Sequence, residues 1–572
     1  MIGLKINGKP VRAREGETIL SAAKRSGISI PTLCHMEGLP PSGACRICVV
    51  EVGDQGRLVP ACSFPVSEGM SVQTHSLEAL TARRTIVELL LAGHPDDCLY
   101  CVRNGECELQ TLARDLGIRQ RRFRGARNRF DLDVSSPSIV RDPEKCILCG
   151  KCVRVCEEIQ GVAAIDFIGR GNGTSVGCAF NEGINVSSCV NCGQCIMVCP
   201  TGALSEKVDT DRVLAALQDP EMVVVAQHAP SISVTLAEEF GMKPGTDIAG
   251  RLNAALRMMG FDMVFDTSFS ADLTVMEEAT ELVGRIRSGG VLPLLTSCSP
   301  GWVKFLEEFY PDLAGNISTC KSPQQMMGAV IKSYWAAQRD LDPKKVFSVA
   351  IMPCTAKKFE AGRPEMSMSG MADVDAVLTT RELAGLIRSF GIDMDSVKDE
   401  PADNPFGERS SAGKMFGGSG GVMEAAVRTA HFMITGRELE DPKIDALRGD
   451  GTREVHLDVG GVDVGVAVVS GLANARVILD RIRAGGSGLH FVEIMTCPGG
   501  CIAGGGQPIG ADPARIAARL KALYRIDNTA PLRTAHGNRS VARLYREFLG
   551  EPCGPLSHSL LHTSYHRREV LK

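Results

Sequence analysis

Cys146-Ile147-Leu148-Cys149-Gly150-Lys151-Cys152-Val153-Arg154-Val155-Cys156 is followed downstream by Cys189-Val190-Asn191-Cys192-Gly193-Gln194-Cys195-Ile196-Met197-Val198-Cys199-Pro200. Both stretches read Cys-x2-Cys-x2-Cys-x3-Cys, so the chain carries an internal repeat of the bacterial two-cluster 4Fe–4S spacing, in which the fourth cysteine of each run serves the other cluster. One 4Fe–4S centre is expected on Cys146, Cys149, Cys152 and Cys199, and its neighbour on Cys189, Cys192, Cys195 and Cys156. Zinc motifs do not show this doubled spacing. Cys178, between the runs, fits neither pattern and reads as a small buried residue.

Two further groups lie upstream. His94-Pro95-Asp96-Asp97-Cys98-Leu99-Tyr100-Cys101, with Cys107 after five more residues, offers one imidazole and three thiolates to a third 4Fe–4S cluster, less negative than an all-cysteine one. Nearer the start, Leu4-Lys5-Ile6 alternates, Asn7-Gly8 is a tight-turn dipeptide, and Ile19, Ala22 and Ala23 recur at helical spacing before a stop at Gly27. Cys34, Cys45, Cys48 and Cys62 follow, with Gly43 letting backbone amides approach the sulfurs. Hairpin, helix and cysteine-rich loop together resemble a plant-type 2Fe–2S ferredoxin domain. The order of the four sites resembles the N-terminal part of the iron–sulfur subunit of respiratory complex I, an electron wire.

The 572 residues suggest about four folding units. Apolar residues make up 44% and charged residues 23%, as in a globular protein with real cores, and the net charge of −4 gives no reason to expect nucleic acid or an anionic membrane. No stretch is apolar for long enough to span a membrane, and the start shows no signal-peptide or twin-arginine pattern, so a cytoplasmic location is expected. The abnormal number is 22 cysteines. In a reducing compartment that quantity means metal.

From about residue 210 the texture changes. Met222–Ala226 and Val346–Met352 read as buried strands, and residues 281–291 and 381–390 have helical spacing, so the fold class expected is an α/β catalytic domain preceded by modular ferredoxin-like α+β iron–sulfur domains. Neither a dinucleotide fingerprint nor a Walker loop is present. Three segments stand out: Thr296-Ser297-Cys298-Ser299-Pro300-Gly301-Trp302, Met352-Pro353-Cys354-Thr355-Ala356-Lys357-Lys358-Phe359-Glu360, and Glu493-Ile494-Met495-Thr496-Cys497-Pro498-Gly499-Gly500-Cys501 running on to Pro508. Each follows an apolar strand, where active-site loops sit. Together they closely resemble the three signature segments of FeFe hydrogenases, and the resemblance extends through essentially the whole chain.

That resemblance implies an H-cluster, a 4Fe–4S cube joined through a cysteine sulfur to a di-iron unit bearing CO, cyanide and a bridging azadithiolate. It places Cys354, Cys497 and Cys501 on the cube, with Cys501 bridging to the di-iron, and Lys357 as donor to a cyanide. Met352, Met495, Ala229, Pro230, Ser231, Pro323, Gln324 and Phe416 match pocket-lining positions. Cys298 matches the thiol that hands protons to the bridging amine, with Ser318, Glu278 and Glu281 as the relay behind it and Arg285 near its mouth. Without the family match, Glu277-Glu278-Ala279-Thr280-Glu281 would read as a solvated acidic face. One position departs from the commonest family pattern, which has two adjacent cysteines where this chain has Cys298 and Ser299. Either Ser299 ligates the cube, or Cys298 shifts into ligation, or Cys320 swings in from the nearby segment.

The domains expected are 1–78 (2Fe–2S), 79–135 (4Fe–4S held by one histidine and three cysteines), 136–209 (two-cluster 4Fe–4S), 210–510 (H-cluster catalytic) and 511–572 (small-subunit-like). The activity implied is reversible interconversion of protons and electrons with H₂. A hydrogen sensor is the alternative, and a cluster-assembly scaffold a third reading. The retained Cys298 and the absence of an appended sensory segment speak against the sensor; the complete relay and the cluster-bearing front end speak against the scaffold. With no nucleotide site of its own, the chain is expected to exchange electrons with ferredoxin or with NAD(P)-linked flavin and iron–sulfur subunits, and to receive its di-iron unit from maturation proteins.

Overall fold

The computed structural model describes residues 1–125, 129–449 and 451–570. At the front, the strands Ile2–Ile6 and Lys9–Ala13 pair antiparallel about Asn7 and Gly8, both with positive φ (51° and 77°) as a tight hairpin turn demands. Val49–Val52, Arg57–Pro60 and Ser71–Gln73 complete a five-stranded mixed sheet. Its inward residues Leu4, Ile6, Val11, Val50, Val59 and Val72 pack on Ile19, Leu20, Ala22 and Ala23 of the helix Ile19–Arg25. That helix is capped by the Thr18 hydroxyl, and the chain turns out of it through Gly27.

The long helix Leu77–Gly93 leads to the His94 group, and the short helix Glu108–Asp115 starts at Cys107. Its first amide, of Glu108, donates to the Pro200 carbonyl at 3.0 Å, while Arg103 donates to the Cys199 carbonyl at 2.7 Å, docking this unit onto the doubled cysteine run. The strands Ile139–Arg141 and Leu204–Glu206 close that run into a small domain, in whose core Cys178 is 1% exposed.

Two four-stranded sheets form the larger half. In one, Met263–Asp266, Val223–His228, Val346–Met352 and Ala376–Thr379 lie side by side, all parallel. Helices cover both faces, which is why these strands are continuous apolar runs rather than alternating ones. In the other, Leu294–Leu295, Phe491–Met495 and Val462–Ser470 are parallel, and Arg453–Val459 adds an antiparallel edge. The alternating exposure of that edge strand, with every second residue open, is what a one-sided strand shows. The helical segment expected at 281–291 belongs to the helix Ser268–Ser288, which stops earlier because Gly289 adopts φ 67°. The segment at 381–390 is the helix Thr380–Ser389, opened by a Thr379/Glu382 capping box. Among the described residues, no helix is long and apolar enough to cross a membrane.

Candidate active site and cluster cavities

Parallel α/β sheets bind ligands outside the carboxyl ends of their strands, and both sheets deliver their loops to one place. Ala229-Pro230-Ser231 follows the strand ending at His228, Thr267 follows Asp266, Pro353-Cys354 follows Met352, Cys298 lies just beyond Leu295, and Thr496-Cys497 follows Met495. These loops, with Pro323, Gln324, Phe416 and Cys501, enclose about 740 Å³ of predominantly apolar cavity. All eight residues expected to line the pocket do so, and Cys298, Ser299, Cys354, Lys357, Cys497 and Cys501 share its wall.

Glycines let the wall close. A Cβ on Gly504 would lie 2.2 Å from the Pro353 carbonyl oxygen, and one on Gly500 would lie 2.6 Å from the Ser419 amide. Cys354 sits before the helix Ala356–Ala361, whose first amides, of Ala356 and Lys357, are directed at its sulfur. The Lys357 ammonium donates to the Cys298 carbonyl at 3.2 Å and to Glu360 Oε2 at 2.9 Å. Glu360 also accepts from Ser322 and Gln324, so one buried carboxylate fixes three groups. Gln324 Oε1 is buried with no hydrogen-bond partner among the described residues. Four thiols and an ammonium round a predominantly apolar cavity suit a thiolate-held metal group with small polar ligands.

Ser299 immediately precedes the helix Pro300–Phe309, and its hydroxyl is paired with the Thr496 hydroxyl at 2.7 Å while accepting from the Thr496 amide at 3.3 Å. Cys320 does not line the cavity. It is wholly buried among Phe265, Phe269, Met326 and Met327 in a neighbouring core.

Behind Cys298 runs a file of polar groups. Burial pushes the Cys298 thiol up, and the nearby Glu278 carboxyl adds to the effect. Glu278 is fully buried, and desolvation, reinforced by Glu281, raises its pKa to about 8. Its Oε1 accepts from the Ser297 amide at 3.4 Å, while Oε2 is unpartnered among the described residues. Ser318 donates to Glu281 Oε2 at 2.8 Å, and Arg285, towards the surface, donates to Glu281 Oε1 at 2.6 Å. The reading of this stretch as a solvated acidic face is excluded, since Glu277 and Glu278 are both 0% exposed.

The accessory cysteines also gather. Cys146, Cys149, Cys152 and Cys199 face one cavity of about 470 Å³, and Cys156, Cys189, Cys192 and Cys195 face another of about 470 Å³. The second adjoins the active site: Gln194 Nε2 donates to Cys497 Sγ at 3.2 Å and to the Ala503 carbonyl at 3.0 Å. The Thr355 hydroxyl donates to the Asn191 carbonyl at 2.7 Å from the other side. Cys34 and Cys45 are close enough for the Cys45 amide to reach Cys34 Sγ at 3.5 Å, and Cys48 neighbours Cys62. His94 shares a cavity with Cys98 and Cys107, and Cys101 lies near those two cysteines. His94 Nδ1 is 3.1 Å from the Pro95 carbonyl, whereas Nε2 is buried without a partner among the described residues, as a ligating nitrogen would be. Reading the sequence missed Thr496 and Glu360 as partners in the site. The three-residue spacing from Lys357 to Glu360 on a helix was the available signal for the second.

The C-terminal domain of the iron-only hydrogenase large subunit matches residues 222–505. A 2Fe-2S iron-sulfur cluster binding domain matches 1–76, the NADH-ubiquinone oxidoreductase-G iron-sulfur binding region 83–122, a 4Fe-4S dicluster domain 145–203, and the iron hydrogenase small subunit 513–568. The chain is 45% identical to the NADP-reducing hydrogenase subunit HndD of Solidesulfovibrio fructosivorans, with 100% of both chains covered. It is 39% identical to iron hydrogenase 1 of Clostridium pasteurianum, covering 98% of this chain and 99% of that one. A solved [FeFe]-hydrogenase structure from Chlamydomonas reinhardtii superposes with a TM-score of 0.57 at 39% identity, over 63% of this chain and 98% of the other. Strands that deliver three cysteine-bearing loops to one cavity, a ferredoxin-type front end and likeness along the full length lead to one conclusion: the chain is an FeFe hydrogenase with accessory iron–sulfur domains.

Proposed function

We propose that this hydrogenase interconverts two protons and two electrons with H₂ at an H-cluster held in the 740 Å³ cavity by Cys354, Cys497 and Cys501, with Ser299 at the fourth corner. The observation that carries the reading is the meeting, at one wall, of the three cysteines with Cys298 and the buried file behind it. When bound, the H-cluster supplies the metal redox chemistry at which protons and electrons combine. Cys298 holds the last transferable proton, and Glu278, Ser318 and Glu281 pass it inward from the surface near Arg285. A carboxyl with pKa about 8 is protonated at neutral pH yet able to give its proton up, as a relay requires. Lys357, fixed by Glu360, would present a cation to anionic diatomic ligands of the bound group, and the methionines, Phe416 and the prolines line the cavity so as to exclude water. The Thr496 amide orients the Ser299 hydroxyl by donating to it.

The accessory cysteines and His94 would hold one 2Fe–2S and three 4Fe–4S clusters, which would supply a path for electrons. The Cys156/Cys189/Cys192/Cys195 cavity is the one beside the catalytic cavity, where Gln194 donates to Cys497 Sγ. The partner is ferredoxin or a set of NAD(P)-linked flavin and iron–sulfur subunits. The likeness to a relative described as a subunit of an NADP-reducing hydrogenase supports the second.

Cys298→Ala in matured protein tests the assignment. Turnover should fall by about 10²–10⁴-fold while the infrared bands of CO and cyanide persist. Cys298→Asp should recover part of the rate, and Ser299→Cys should keep the bands. Loss of the bands and of the cube's EPR signal in Cys298→Ala would make Cys298 a ligand instead.

A further inference from the structure

Glu277 belongs to none of the groups above. It precedes Glu278 on the helix Ser268–Ser288, yet its partners all come from the C-terminal segment. Oε1 accepts from the Tyr545 hydroxyl at 2.6 Å, Oε2 accepts from the Cys553 amide at 2.5 Å, and His562 Nε2 lies 3.1 Å from Oε2. One ligand atom each from Glu277, Cys553 and His562 lies within 4.8 Å of the other two. The side chains of Glu277 and His562 are almost wholly buried (0% and 1% exposed), and Cys553 is half-buried.

The outer contacts are those of a metal site. His562 Nδ1 is 2.8 Å from the Thr319 hydroxyl, which fixes the ring with Nε2 turned to the centre. Tyr545 orients the carboxylate in the same way. Ligating imidazoles and carboxylates are normally held by such second contacts. One sulfur, one imidazole nitrogen and one carboxylate oxygen select a borderline-soft divalent ion of the zinc type over Mg²⁺ or Ca²⁺, which prefer oxygen alone.

We propose that Glu277, Cys553 and His562 form a binding site for one Zn²⁺-type cation, separate from every iron site and clipping the C-terminal segment to the relay helix. The fourth position is left to water. On binding, Cys553 releases its thiol proton to solvent and forms the metal–sulfur bond, with no change of oxidation state. The competing account of the same distances has no metal: a proton on His562 Nε2 donates to Glu277 Oε2, and the Cys553 thiol donates to the Glu277 carbonyl oxygen at 3.6 Å.

The test uses fully matured, iron-loaded protein stripped with a mild chelator and dialysed against ZnCl₂. Wild type should retain one zinc per chain more than Cys553→Ser. The zinc-edge X-ray absorption of the bound ion should show a single sulfur at about 2.3 Å with nitrogen or oxygen near about 2.0 Å. Zinc should raise the unfolding midpoint of wild type but not of Cys553→Ser, because only the native site binds it. H₂ turnover of the iron-loaded variant, close to wild type, would show that Cys553→Ser folds. Equal zinc uptake by both proteins, a sulfur-free zinc spectrum, or one with several sulfurs from misloaded cluster sites would overturn the proposal.

Discussion

Glu278 is a carboxyl with one oxygen held weakly by an amide and the other buried with no hydrogen-bond partner among the described residues. Its isostere Glu278→Gln keeps the shape but carries no transferable proton. Turnover should fall by about 10²–10⁴-fold, with the infrared bands of the diatomic ligands unshifted. A variant that turns over normally would place the route elsewhere. If His94 ligates a cluster as proposed, His94→Cys exchanges a neutral ligand for an anionic one, and one accessory midpoint potential should move down in a redox titration followed by EPR while the others stay put. An unchanged set of potentials would leave His94 a structural residue. The gathering of the accessory cysteines was legible beforehand, because residues such as Cys146 to Cys156 follow one another at short fixed spacing. Two kinds of fact were not. The Ser299–Thr496 pair joins loops far apart in sequence, and no local pattern encodes it. The acids at 277, 278 and 281 read as a wet face, since composition alone does not report that a second element covers them.

The parallel strands were readable as elements for the opposite reason. Val346–Met352 is an apolar run with no polar alternation, the mark of a strand covered on both faces. The two-residue strand Leu294–Leu295 is too short to leave a periodic signal, yet it aims the Cys298 loop, and only its pairing with Phe491 and Val492 reveals it. The junction between the Cys156/Cys189/Cys192/Cys195 cavity and the catalytic cavity also depends on packing. Gly193 has φ 71°, and a Cβ there would lie 2.5 Å from Thr355 Oγ1 and 3.1 Å from the Gly505 Cα. Gly193→Ala therefore adds left-handed strain of about 1–2 kcal/mol to a steric clash. We expect a lower unfolding midpoint and slower reduction of the accessory clusters under H₂, followed by EPR. Unaltered reduction kinetics would mean that the junction tolerates separation.

Across the whole molecule, the cluster set proposed above would sum to about twenty iron atoms per matured chain, about fourteen of them in the accessory centres. Expression without maturation proteins should leave those fourteen and the four irons of the cube, with no H₂ activity. Iron analysis with a clearly lower accessory content, or activity without maturation, would contradict the inventory. The modular order of the front end was legible from spacing alone; how the end of the chain closes on the catalytic domain was not. The Lys321 amide donates to the Leu561 carbonyl and the Thr563 amide to that of Thr319, both at 2.7 Å, while Arg568 pairs with Glu307 at 2.6 Å. The walls of the cavity are complete by Gly504, but the strap that lies against the relay helix and the Cys320 segment is translated after them. A chain growing from its N-terminus therefore has its pocket lined before it is fastened. During that interval of synthesis the catalytic half is assembled but unlatched, and a nascent chain stalled before Pro555 should be more open to proteolysis around residues 319–323 than the released one.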